Sequence, residues 1–151
     1  MVKIKTRIRV GATRERVWEV VSGIDDDSYF WRGITSVRNL SRNGNAVTRE
    51  VILGRDNVCI QVLTIHPVER IQTRWVSGVI SGTRDILLFP LGQTTLLEIQ
   101  MNYEFPGIGR HDSKRLAELF QAEAELAADL IKSRSEGFEC DIPVAERLWM
   151  N

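Results

Sequence analysis

Net charge, cysteine, histidine and unbroken apolar sequence are scarce in this chain, and each shortage removes a class of function. The 20 basic and 20 acidic residues cancel to a formal charge of +0, and the two signs alternate along the chain instead of gathering in blocks. A nucleic-acid or anionic-membrane surface needs a concentrated basic patch, so neither partner is expected. The start, Met1-Val2-Lys3-Ile4-Lys5-Thr6-Arg7, alternates apolar with basic residues and fits neither a signal peptide nor a membrane span. Cys59 and Cys140 are the only cysteines, with no second pair to form a metal knuckle. Two free thiols in a reducing cytoplasm are the expectation, with no metal and no cofactor. His66 precedes a proline in a turn and His111 stands at a helix start. Neither has a Ser, Cys or carboxylate partner at motif spacing, so both are read as surface residues.

What remains is an ordinary globular chain of 151 residues, 43% hydrophobic, which is one domain's worth and enough for a core. Its most organised stretch runs from Arg110 to Gly137. Leu116, Ala117, Leu119, Phe120, Ala124, Leu126, Ala127, Leu130 and Ile131 recur there at helical spacing, uninterrupted by Gly or Pro. This predicts one long amphipathic helix, capped by Asp112 or Ser113 and closed by Gly137 in a left-handed conformation. The alanines at 124 and 127 suggest room beneath it. The tail, 138–151, carries Ile142, Val144, Leu148, Trp149 and Met150, too apolar for a free terminus. It is expected to dock on the body or on the partner subunit of a homodimer.

The residues before the long helix alternate with the period of strands. Lys3 to Val10 reads as an edge strand, and Leu97, Ile99, Met101, Tyr103 and Phe105 mark the clearest strand of all. Thr13 can cap a short helix whose buried stripe is Val17, Trp18, Val20, Val21 and Ile24. Asp25-Asp26-Asp27-Ser28 reads as the solvated end of that helix, before a second helical turn around Tyr29, Phe30 and Trp31. Pro106-Gly107-Ile108-Gly109 reads as a flexible turn.

Between these lies a meander of strands. A two-residue turn at Asn43-Gly44 sets Leu40 opposite Val47 and Arg38 opposite Arg49. A turn at Gly54-Arg55-Asp56-Asn57 sets Leu53 opposite Val58, Val51 opposite Ile60 and Arg49 opposite Val62. Together they place Leu40, Val47, Val51, Leu53, Val58, Ile60 and Val62 on the core face, and Arg38 and Arg49 with them. Two guanidinium groups there are unfavourable unless an acid or a bound anion sits between them. Three arrangements stand open: an internal salt bridge with Asp85, Glu50 or Glu104, exposure through a different register, or an anchor for a ligand carboxylate or phenolate.

Local phrases narrow the fold. Gly11-Ala12-Thr13-Arg14-Glu15-Arg16-Val17-Trp18-Glu19-Val20-Val21-Ser22 with Trp31 resembles the opening of the polyketide cyclase/dehydrase-like branch of the START-like superfamily. Ala46-Val47-Thr48-Arg49 with Gly54, His66-Pro67-Val68-Glu69-Arg70-Ile71 and Gly92-Gln93-Thr94-Thr95 resemble its later strands and turns. The resemblance implies an α+β helix-grip fold: a curved antiparallel sheet around a long C-terminal helix, with two short helices after the first strand. It also implies a hydrophobic cavity between sheet and helix. By position, Trp31, Trp75, Phe89, Met101, Tyr103 and Phe120 would line it, with Trp75 and Tyr103 the better ligand contacts because each carries a polar tip. The expected function is binding or transport of a small lipid-like or aromatic ligand. A polyketide cyclase or dehydratase, with Arg49, Tyr103 or Trp75 orienting an enolate, and a partner-binding module are the alternatives.

Overall fold

The computed structural model describes residues 1–137; the tail and Cys140 lie outside the described residues. Strand β1 (Val2–Val10) is followed by helix α1 (Arg14–Val21), a 3-10 turn (Ile24–Asp26) and the one-turn helix α2 (Asp27–Phe30). Six strands follow: β2 (Ile34–Asn43), β3 (Ala46–Leu53), β4 (Asn57–His66), β5 (Arg70–Ser77), β6 (Ser81–Leu91) and β7 (Thr94–Glu104). Helix α3 (Arg110–Ser135) completes the described chain. The strands form one antiparallel sheet in the order β1-β7-β6-β5-β4-β3-β2, so every neighbour but one comes from a consecutive hairpin. The exception is β1, which pairs along its whole length with β7 and brings α1 under the C-terminal end of α3. No described helix is long and apolar enough to cross a membrane.

Helix α3 is held tightly at one end. Its buried stripe is Ala124, Ala127, Ala128 and Ile131, and the small side chains let the backbone approach β1 closely. Beyond the stripe, Lys132 Nζ donates to the Arg9 carbonyl at 3.0 Å and to Glu136 Oε2 at 2.6 Å. Glu136 Oε2 also accepts from the Gly11 N–H at 2.5 Å. Burial pushes the Glu136 carboxyl up, but these donors win and leave it below the usual range. From α1, Arg16 donates to the carbonyls of Ser135 and Arg134 at 3.2 and 3.0 Å, closing acceptors that a helix end leaves open. Gly137 follows at φ +90°. The start of α3 is different: Gly109 is the capping residue, without a side-chain bond, and neither Asp112 nor Ser113 serves as the cap.

The two hairpin registers differ from those the turn dipeptides suggest. Asn43 pairs with Ala46, so the turn residues are Gly44 and Asn45, and a bulge between Asn39 and Ser41 shifts the ladder again. Arg38 therefore lies opposite Glu50 on the outer face, while Arg49 stays inside. The second turn has three loop residues, not four, because Leu53 pairs with Asn57. That single residue turns β4 over: Cys59, Gln61, Leu63 and Ile65 point inward, and Val58, Ile60 and Val62 outward. Leu40 is also exposed, and Leu53 is only half-buried.

Gly82 sits where the sheet allows only a glycine. It pairs with Trp75 on one side and Tyr103 on the other, and its missing side chain lets those rings meet edge-to-face at 6.0 Å. Its φ is +122°, and a Cβ there would collide with the backbone carbonyl of Asn102. Gly82→Ala should cost about 3 kcal/mol or more. Urea unfolding showing a loss below about 1 kcal/mol would mean β6 and β7 can separate there without cost.

Candidate ligand cavity

The clamp that closes the C-terminal half of α3 onto the sheet is absent at its N-terminal half, which stands off over a cavity of about 730 Å³. Trp75, Arg84 and Tyr103 form its floor on β5, β6 and β7. Trp31, Gly33 and Ile34, just after α2, form one wall, and Leu116, Leu119, Phe120 and Glu123 of α3 form the roof. Val79, Ile80, Phe105 and Ile108 surround the mouth. The roof is tied to the wall at one point, where Glu123 Oε2 accepts from the Gly33 N–H at 2.8 Å.

Aromatic rings shape the interior. Tyr103 meets Phe120 edge-to-face at 5.3 Å and Phe105 at 6.3 Å, while Phe105 and Phe120 stack at 5.6 Å. Each such pair contributes about 0.5–1.5 kcal/mol beyond its burial. These contacts hold helix, strand and mouth at a fixed spacing. Tyr103 is fully enclosed; burial pushes its phenol up to about 12, with the Arg84 charge pulling the other way. At neutral pH it is therefore an un-ionised O–H donor. The Trp75 indole N–H is buried near the Tyr103 hydroxyl but makes no well-formed hydrogen bond among the described residues.

Behind the wall lies a buried ionic cluster. Arg49, at 0% exposure, is satisfied on every side: Nη2 donates to Asp27 Oδ2 at 2.6 Å, Nη1 to the Ile24 carbonyl at 2.9 Å and Nε to Gln61 Oε1 at 2.8 Å. Burial lowers its pKa while Asp27 pulls it back up. Asp27 meets a second cation less closely, with Arg84 Nη2 at 3.6 Å. The Arg84 guanidinium lies over the Trp31 ring, 3.9 Å from the centroid, and its Nε has no hydrogen-bond partner among the described residues.

Of the residues expected around a ligand, Trp31, Trp75, Tyr103 and Phe120 line this cavity. Met101 is buried in the core beside them without lining it. Arg49 stands one layer behind, fully engaged by Asp27 and Gln61. Two expectations are corrected. Arg38 is on the outer face against Glu50, because the turn and bulge shift its register. Phe89 is opposite Leu96 and 41% exposed, because β6 directs its even positions, Gly82 to Leu88, inward. The acidic triplet is corrected as well: Asp27 is buried, and it is the partner Arg49 needs. Asp85 faces outward and pairs with Arg70 at 2.8 Å. The room under α3 lies beneath Leu116, Leu119 and Phe120, whereas Ala124 and Ala127 mark its closest approach. Sequence reasoning missed Arg84, although strict alternation through Gly82, Ile86 and Leu88 carries it onto the inner face. Among the described residues, no group of three or more His, Cys, Asp or Glu side chains is placed to hold a metal ion.

No protein-family model matches this sequence. No curated protein matches it either. Solved structures do match. The Zhui aromatase/cyclase from Streptomyces sp. R1128 superposes with a TM-score of 0.75 at 14% identity, over 89% of this chain and 93% of that one. A START superfamily protein from Mycobacterium smegmatis gives 0.69 at 21% identity, over 90% and 98%. This chain has the START-like helix-grip fold. A protein from Thermus thermophilus shares it, with a TM-score of 0.77 at 16% identity, over 88% and 96%. At these identities the likeness fixes the architecture and leaves the chemistry to the residues above.

Two outcomes test the site's electrostatics. Asp27→Asn keeps the shape but leaves Arg49 buried without a counter-charge, and should lose about 3–5 kcal/mol in urea unfolding. A solvated helix end would lose less than about 0.5 kcal/mol. In Tyr29→Phe, Tyr103 is the sole tyrosine. Its raised folded pKa adds stability that is complete below the ordinary phenol value of about 10 and disappears as pH rises toward about 12. Spectrophotometric titration should find no tyrosinate until above the ordinary value, and ionisation near it would mean that water reaches the ring.

Proposed function

We propose that this protein binds or carries a small hydrophobic ligand, aromatic or lipid-like, in the cavity between the sheet and the N-terminal half of α3, and that it does so in the cytoplasm. The observation that carries this reading is the cavity itself. At about 730 Å³ it falls within the range of small-molecule sites, and its walls are aromatic and aliphatic with few polar groups. A module acting only through its surface has no need of such a space, and filling it with side chains would add stability. Trp31, Trp75, Tyr103 and Phe120 would contact the ligand, and Val79, Leu119 and Ile108 would be passed on entry.

A second reading, a cyclase or dehydratase, has one feature in its favour. Tyr103, held un-ionised, and the unpartnered Arg84 Nε–H share one water-poor pocket, where donors of this kind polarise a carbonyl. The half-buried Glu123, bonded to Gly33, is the carboxylate of the lining. Binding, which the cavity alone supports, is the leading reading.

The neutral fluorophore N-phenyl-1-naphthylamine should bind the wild-type protein at one saturable site and brighten on doing so. Leu116→Trp, which places a larger ring in the roof, should weaken that binding at least tenfold, with unchanged circular dichroism. Absence of saturable binding to the wild type, or equal binding by the variant, would remove the cavity from the function.

A further inference from the structure

The charges buried around the cavity do not balance. Asp27 is one carboxylate facing two guanidinium groups, and it is committed to Arg49 at 2.6 Å, with Arg84 a full ångström further away. Each of the three Arg49 nitrogens has an acceptor, in Asp27, Gln61 and the Ile24 carbonyl. Arg84, only 3% exposed, has a face on Trp31, a distant carboxylate on one Nη, an Nε–H with no partner among the described residues, and a place in the cavity lining. A buried cation in that condition is costly unless something else shares its charge. Glu123, the acid of the lining, is half-exposed in the roof, with its Oε2 engaged by the Gly33 N–H.

The other polar groups of the floor point to the same missing partner. Trp75 presents an unpartnered indole N–H. Tyr103 presents a hydroxyl that stays protonated across the physiological range. The floor thus carries a guanidinium, an indole N–H and a phenolic O–H, all able to donate, within an otherwise apolar chamber. The Tyr103 oxygen is an acceptor near both the Arg84 Nε–H and the Trp75 indole N–H, but neither makes a well-formed hydrogen bond among the described residues, so a guanidinium and an indole N–H still face the chamber as the complement of an anion.

We infer that the ligand is an amphipathic monoanion, a carboxylate or phenolate on a hydrophobic body, with its charged oxygen held by Arg84 and its body against Trp31, Phe120 and Leu116. This rests on the cavity reading above and narrows it from hydrophobic molecules in general to anionic ones. Arg49, which the sequence suggested as an anchor, is the fixed support: it occupies Asp27 and so leaves Arg84 incompletely neutralised.

The test uses two probes of one skeleton, neutral N-phenyl-1-naphthylamine and its sulfonate, 8-anilinonaphthalene-1-sulfonate, in competition on the full chain. The wild type should bind the sulfonate at least tenfold more tightly, with each probe displacing the other. Arg84→Gln should lose about tenfold in sulfonate affinity and keep its affinity for the neutral probe, which also shows that the variant is folded. Arg84→Lys, which retains the cation, should keep part of the preference. Equal wild-type affinities, or a variant that weakens both probes alike, would overturn the anionic assignment while leaving the cavity reading intact. Failure of both probes to bind the wild type would remove both.

Discussion

Arg49 is buried at 0% exposure in the concave face of a sheet, and the wall of the cavity follows from the need to neutralise it. An isolated guanidinium there is untenable, and the sheet offers it only the amide of Gln61. The missing charge comes from Asp27, the first residue of α2, and the missing acceptor from the Ile24 carbonyl in the turn just before. Those two bonds draw the segment between α1 and β2 across the sheet. Trp31, four residues after Asp27 and bonded to its carbonyl, is carried with it into the core. The ring then lies under Arg84 and forms the cavity wall. One ion pair thus positions the aromatic side of the cavity and also leaves the second cation incompletely paired.

The helix completes the space by being gripped unequally. At its C-terminal end, alanines press on β1 while Lys132, Glu136 and Arg16 tie the last turn to both ends of the β1–α1 corner. At its N-terminal end the packing residues are large, and their contacts run to Tyr103 and Phe105 near the far end of β7. A rigid rod fixed at one end and propped by bulky rings at the other leaves a wedge beneath it. The cavity is that wedge, with Phe120, Phe105 and Tyr103 packed together at its wide end.

Much of this was legible in the order of residues. The period-2 alternation of β1 and β7 and the helical stripe of α3 are strong because each element has one wet and one dry face over many residues. Faces in β2 and β4 were not, because they depend on a bulge in the one and on the count of turn residues before the other. The move from Asn43-Gly44 to Gly44-Asn45 slides the first register by two and changes no face, whereas the bulge between Asn39 and Ser41 turns over the part of β2 that precedes it, and three loop residues instead of four after Leu53 turn β4 over. That reversal also explains why β-branched Val58, Ile60 and Val62 face outward while Gln61 lies inside: Gln61 is there to serve Arg49. Asp27 had no local mark to separate it from Asp25 and Asp26, since what distinguishes it is a partner 22 residues away in β3. Arg84, by contrast, could have been read from Gly82, Ile86 and Leu88 on the same strand face.

In this chain the helix-grip fold leaves the wedge, and the few polar groups that line it decide what it can hold. Superposable solved structures share the scaffold at 14% to 21% identity, which is too little to carry a pocket's chemistry across. What a hydrophobic chamber selects is therefore decided by its few polar atoms, each of which costs free energy when empty. In this cavity the empty ones are donors: Arg84 Nε and the Trp75 indole N–H lack partners among the described residues, and Tyr103 cannot become an anion under physiological conditions. An apolar ligand would leave the Arg84 and Trp75 donors without a partner. A ligand ending in an anionic oxygen, as inferred above, would satisfy the most expensive of them.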